Sequence, residues 1–298
     1  MTPRRTNTYR DVRRRGMAMP IVLLLLLVSG LTLTVVLQRQ DAASKSTARR
    51  LQAYQRFHEQ RGFQEIVELW LFSHAQNGIA DKLDDDGHAF DLELADRGQI
   101  RVRLEPAQGA IRRDPEGLTR TAQNRAQGML DELAEVLGGE SAFLGTDEQD
   151  RPYTRASGPV AIDAMTAPRA CVVAAASYAL RSTRRASAFA DALEDARLDD
   201  EVTENELDDA GDAVDADQTE RVLLDRVFTV EPRLWWCEIE MLGTDLGRPN
   251  AVTARFGGHL LVSGPGGGGG GGRGSDNEET RPEGRGSFLS WQALDLPQ

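Results

Sequence analysis

MAMPIVLLLLLVSGLTLTVVL, residues 17–37, is a run of 21 residues without a charge. At about 1.5 Å per helical residue it spans a bilayer core of roughly 30 Å. No other stretch of the chain does so. The 16 residues before it, MTPRRTNTYRDVRRRG, set Arg4, Arg5, Arg10, Arg13, Arg14 and Arg15 against Asp11. Their charge is +5 in a chain of net −12, so the remainder carries −17. Arginine-rich flanks stay in the cytoplasm, which predicts one membrane pass with the acidic remainder exported. A cleaved secretory signal would be apolar for about 7–15 residues and end in a small-x-small site. This run is longer, and Leu37, Gln38, Arg39 and Gln40 offer no such site.

Beyond the apolar run, residues 38–80 continue as an amphipathic helix, with Leu51, Tyr54, Phe57, Phe63, Ile66, Val67 and Trp70 at helical spacing. No proline interrupts residues 21–73, although Gly62 weakens the helix by roughly 1 kcal/mol relative to alanine. The spacing predicts one helix of ~55 residues, about 80 Å long, running from the membrane into a folded domain. Asn77 and Gly78 are its expected stop. A hairpin follows: Phe90, Leu92, Leu94 and then Ile100, Val102, Leu104 alternate about a turn at Asp96, Arg97 and Gly98. One face of the hairpin is apolar and suits the stripe of the preceding helix.

Residues 114–225 read as helical. Ala122, Ala126, Met129, Leu130, Leu133, Val136 and Leu137 mark one amphipathic helix that ends at Gly138 and Gly139. The string GPVAIDAMTAPRACVVAAASYAL, residues 158–180, places Thr166 as a candidate N-cap before an alanine-rich buried helix, with Pro168 in the first turn. Strand character returns in RVFTV, in LWWCEIEML (Trp235, Cys237, Ile239, Met241 on one face) and in AVTARFGGHLLV. These segments complete the sheet, making 81–113 and 226–263 its two parts and 114–225 a helical insertion. Residues 264–298 are a glycine-rich linker and a tail, SFLSWQALDLPQ. Its Phe288, Leu289, Trp291 and Leu294 form either an unbound terminus or a short docking motif.

The order of an arginine-rich leader, Gly16, a hydrophobic helix and an amphipathic continuation resembles the type IV prepilin family. In that family a dedicated peptidase cuts after the glycine and methylates the new first residue, here Met17. Most members carry glutamate five residues into the mature chain; Ile21 stands there instead, as in the K-type minor pseudopilins of type II secretion. Their (I/V)NVNTAP signature is matched at Ile162, Thr166, Ala167 and Pro168, and departed from at Asp163, Ala164 and Met165. The resemblance implies an α+β fold: a long transmembrane and amphipathic N-terminal helix packed on an antiparallel pilin-like sheet, with a large helical insertion. It implies a non-enzymatic subunit in the inner membrane, its domain in the periplasm. Its partners would be the prepilin peptidase, the other minor pseudopilins and the major pseudopilin. The alternative reading is a signal-anchored periplasmic scaffold or binding protein outside any filament.

The residues support no catalytic centre. His58, His74, His88 and His259 lack metal-ligand spacing, and no GxSxG, Walker-type or HExxH arrangement is present. Excess acid disfavours nucleic-acid binding. Residues 191–220 hold 14 acids and one base, Arg197. Asp209, Asp212, Asp215, Asp217 and Glu220 invite a calcium reading, and some K-type members bind calcium. The EF-hand order is absent, however, and a solvated acidic surface is the expectation. Cys171 and Cys237 either pair as a disulfide, as an exported protein permits, or stay as small buried hydrophobes.

Overall fold

The computed structural model describes residues 18–74, 79–84, 86–94, 98–198, 202–243, 251–262 and 286–295. Gly16, Met17, Asn77 and Gly78 lie outside them, as does most of the glycine-rich linker. The chain divides into two units, residues 1–63 and 64–298.

The described part of the first unit is helix. It belongs to α1 (Ala18–His74), one uninterrupted 57-residue α-helix. Pro20 lies in the first turn, where its missing N–H has no intrahelical partner to lose. The helix is long and apolar enough to cross a membrane, and its apolar window is fully uncovered by protein. Two hydroxyls of the apolar stretch are satisfied internally: Thr32 Oγ1 donates to Ser29 O at 2.9 Å and Thr34 Oγ1 to Gly30 O at 2.8 Å. Such bonds remove the polar groups that hydrocarbon would otherwise leave without partners.

The second unit is built on an antiparallel sheet. Its strands are β1 (His88–Leu94), β2 (Gly98–Pro106), β7 (Leu234–Leu242) and β8 (Val252–Leu261), adjacent in that order. The hairpin forms as its alternation predicts, with Phe90 opposite Val102 and Leu92 opposite Ile100. Across β2 and β7, Val102 faces Ile239 and Leu104 faces Cys237. Because directly opposed residues share a face, these pairs make one apolar surface. The last turns of α1 cover it: Val67 and Leu71 are fully buried, and the Trp70 ring stacks on Phe90 at 5.4 Å. The other face is a charge ladder. Asp91, Arg101, Glu240 and Arg255 stand opposite one another on four successive strands, and Arg255 pairs with both Glu238 and Glu240.

Between β2 and β7 the chain makes a helical lobe. Its elements are β3 (Ile111–Arg112), α2 (Arg120–Leu137), β4 (Thr154–Arg155), β5 (Ile162–Asp163), α3 (Arg169–Leu180), α4 (Thr183–Leu198), α5 (Glu204–Ala213), α6 (Gln218–Val227) and β6 (Phe228–Thr229). Helix α3 is the hub. Nine of its 12 residues are buried, which its small alanine-rich side chains permit by letting helices pack closely around it. Met129 and Leu133 of α2, Phe189 and Leu193 of α4 and Leu224 of α6 close the core around it. The Phe189 and Phe228 rings meet at 5.3 Å. Helix α2 ends as its sequence predicts, at Gly138 in the left-handed region at φ 77°, and Thr119 caps its start.

Three expectations change. RVFTV does not join the main sheet: Phe228 and Thr229 pair in parallel with Ile162 and Asp163 inside the lobe. Thr166 is not the N-cap of α3; Pro168 holds that position. The Thr166 hydroxyl instead donates to Asp163 Oδ2 at 2.5 Å, a local side-chain bond within the preceding turn. Finally, the tail is not an unbound terminus. Residues β9 (Ser287–Phe288) and β10 (Gln292–Ala293) both pair antiparallel with β8.

Candidate assembly surfaces

The segment of residues 156–168 is held by cations that donate to its carbonyl oxygens. Arg155 is 9% exposed. Its Nε donates to Ala110 O at 2.8 Å, Nη1 to Ser157 O at 2.5 Å, and Nη2 to Pro159 O and, at 3.3 Å, to Ala161 O. Arg112 reaches Gly158 O at 2.5 Å and also Asp114 O and Glu116 O. Arg197 donates twice to Ala164 O, and Arg151 to Thr166 O at 3.3 Å. A guanidinium with several donors in a plane is suited to collecting carbonyls that no strand or helix would satisfy.

Asp163 and Gln108 complete this arrangement. Burial pushes the Asp163 carboxyl up, while hydrogen bonds from the Thr166 hydroxyl and the Met165 N–H, and the charge of Arg197, pull it down. An acceptor side chain is what this turn needs, and Asp163 supplies it. Gln108, 1% exposed, is the joint between lobe and sheet. It donates to Ala161 O at 2.9 Å and accepts from Arg233 N at 2.7 Å and Leu234 N at 3.1 Å. Sequence reading missed Gln108, Arg112 and Arg155, because each is a polar residue whose role is fixed by distant backbone.

The two cysteines fall in different cores. Cys171 lies in α3 and Cys237 in β7; both are free and buried, and burial pushes each thiol up to about 12. The Cys171 Sγ donates to Tyr153 O at 3.3 Å. A thiol so far above neutrality is a poor nucleophile. The histidines are equally dispersed. His74 stacks on Trp70, and His88 sits between Asp91 at 3.0 Å and Asp84 at 3.2 Å, which holds its imidazole above the usual range. His259 meets Ser290 Oγ at 3.1 Å.

The acidic run is largely absorbed into helix caps and ion pairs. Asp217 caps α6, accepting from Thr219 N and Glu220 N, while Glu220 Oε2 accepts from Asp217 N at 2.9 Å. Both Glu220 oxygens also take the Arg185 guanidinium, at 2.7 and 2.8 Å. Asp212 pairs with Arg221, and Asp209 and Asp215 are exposed. Thr203 and Glu206 form a second capping box on α5. Among the described residues no three His, Cys, Asp or Glu side chains converge as a metal-binding group.

The bond to Arg185 and the cap hold the Glu220 carboxyl below its ordinary 4.5. Its contribution is therefore complete above pH 4.5 and is lost as pH falls through the lower value of the folded state. Glu220→Ala is expected to cost about 1–2 kcal/mol at pH 7, chiefly as a lost cap and forked ion pair. Thermal melts at pH 7 and pH 3 check this, because the gap between wild type and variant should narrow in acid.

Among the described residues, the apolar part of α1 is uncovered, with Leu23 to Leu27 each 58–64% exposed, and no described strand covers the edge of β1. No protein-family model and no curated protein matches the chain. Among solved structures, a chain of the GspK–GspI–GspJ complex of the enterotoxigenic Escherichia coli type 2 secretion system is similar to it over 80% of this chain and 99% of its own, at 14% identity and a TM-score of 0.34, a likeness too loose to assign residues.

Proposed function

We propose that the chain is a K-type minor pseudopilin of a type II secretion system, a subunit that initiates or caps a periplasmic pseudopilus. The observation that carries this reading is the order of elements. An apolar helix continues without a break to His74, its last turns bury Leu71 against an antiparallel sheet, and a helical lobe lies in sequence between the adjacent strands β2 and β7. In this reading the apolar segment holds the subunit in the inner membrane, N-terminus in the cytoplasm, and then packs among the helices of the other minor pseudopilins and the major pseudopilin. The lobe makes the subunit too bulky for the filament body, which favours the tip. Ile21 fits that position: a tip subunit has no neighbour above whose N-terminal amine needs a carboxylate.

The prepilin peptidase would cut between Gly16 and Met17. Mass spectrometry of the protein isolated from cells that hold the peptidase is expected to find N-methylated Met17 as the first residue, and Gly16→Val is expected to leave the leader in place. A wild-type chain that keeps its leader would overturn the filament reading and favour an anchored scaffold.

A further inference from the structure

The C-terminal tail is bound to β8 in a way that a continuing hairpin would not require. Leu261 pairs with Ser287 and Leu260 with Phe288, yet 25 residues, 262–286, separate Leu261 from Ser287 along the chain. A hairpin loop ordinarily needs about 2–5. The contact is that of a tethered peptide closing on a sheet edge. Beyond the two short ladders, Leu289 N donates to His259 O and Leu294 N to Arg255 O, each at 2.8 Å, and the Ser290 Oγ accepts from His259 N at 3.1 Å.

Gly257 and Gly258 shape the groove. Glycine weakens a strand interior, so two in succession in β8 call for a reason. A Cβ at Gly258 would lie 2.1 Å from Ser290 O and 2.9 Å from Trp291 Cε3; one at Gly257 would lie 2.9 Å from Leu294 Cδ1 and 2.5 Å from Trp236. Only bare backbone lets the tail approach this closely. The aromatic anchors complete the fit: Trp291 stacks on Phe256 at 6.2 Å with planes 9° apart and meets Phe288 edge-on at 4.8 Å.

The tail is nevertheless held loosely. Phe256, Gly257, Gly258 and Leu260 of β8 are buried, whereas none of residues 286–295 is. Among the described residues the buried Trp291 Nε1 has no hydrogen-bond partner, an omission that weakens the site. Retention then comes from tethering, since covalent connection to the same chain raises the tail's effective concentration at the groove to about the millimolar range.

We infer that the edge of β8 is a peptide-binding groove for an extended strand with aromatics three residues apart and a leucine three further on, as in Phe288, Trp291 and Leu294. It is loaded in cis by the chain's own tail, which can be exchanged. The loaded groove closes one edge of the sheet to strand addition and leaves β1 as the open one. This holds whatever the chain assembles with.

The test uses the full chain in detergent micelles, with a protease site placed within residues 275–283, and a fluorescent peptide of residues 286–298. Cleavage is expected to allow exchange, so that the peptide binds the cut chain at least tenfold better than the intact one. A Trp291→Ala peptide should bind the same cut chain roughly tenfold more weakly, an arm that does not depend on any variant folding. Gly258→Val in the cut chain should abolish binding with the helical circular dichroism unchanged. Binding to cut and intact chains alike, equal binding of a scrambled peptide, or no exchange at all would overturn the inference.

Discussion

Replacing Arg155 by leucine is expected to destabilise the folded lobe by roughly 3–6 kcal/mol, since the carbonyls of Ala110, Ser157 and Pro159 lose their donor while that of Ala161 keeps Gln108, and a buried unsatisfied group costs about 1–3 kcal/mol. The four acceptors belong to segments with no ladder of their own at those positions. Apolar volume from leucine offsets only part of the loss, because the guanidinium's task is directional. For a unit of this size the change corresponds to a fall in Tm of about 10 °C or more. Arg155→Lys should lie between: its ammonium carries three donors, but as a point it reaches one or two of the four acceptors. Thermal unfolding of the three proteins, followed by circular dichroism, gives the ranking Arg, Lys, Leu. Equal melting of Arg155→Leu and wild type would mean that the loop carbonyls find other donors.

The contrast between Arg155 and the elements around it explains what the sequence discloses. Local periodicity places α1, the β1–β2 hairpin, α2 and β7, because in each the core-facing residues recur at the period of the element itself, as Trp235, Cys237 and Ile239 do. Arg155, Arg112 and Gln108 have no such pattern. Each has a backbone partner 45 or more residues away, and nothing adjacent in the chain marks it as buried. Thr166 illustrates a second kind of failure: the residue type suits a cap, but Asp163 three positions earlier takes the hydroxyl first. The acidic run had a local signature that composition hid, for Thr203 with Glu206 and Asp217 with Glu220 are both capping boxes. The tail's docking was masked because Gly257 and Gly258 weaken the strand signal in β8. Their significance emerges only once Ser290 is seen lying against them.

The second large effect concerns the seam between helix and sheet. Leu71 is fully buried and Leu69, two residues earlier on the same helix, is 68% exposed. Residues two apart on a helix point in nearly opposite directions, so the pair tests the same backbone on its covered and uncovered sides. Leu71→Asp would place a carboxylate against the apolar face that carries Phe90 and Val102, where a charge without a partner costs several kcal/mol. The expected loss is about 4–5 kcal/mol, among the largest a single substitution produces. Leu69→Asp should stay within about 0.5 kcal/mol of wild type, as surface changes do. Amide hydrogen exchange of the full chain in micelles separates the two: Leu71→Asp should speed exchange in β1, β2 and β7, while Leu69→Asp leaves them protected. If α1 is the element through which a membrane-held subunit moves its sheet, the consequence reaches further. Leu71→Asp would then free the sheet from the end of the helix, and limited proteolysis of the full chain in micelles should cut between them faster than in wild type. Equal protection in the two variants would show that the end of α1 is not what holds the sheet.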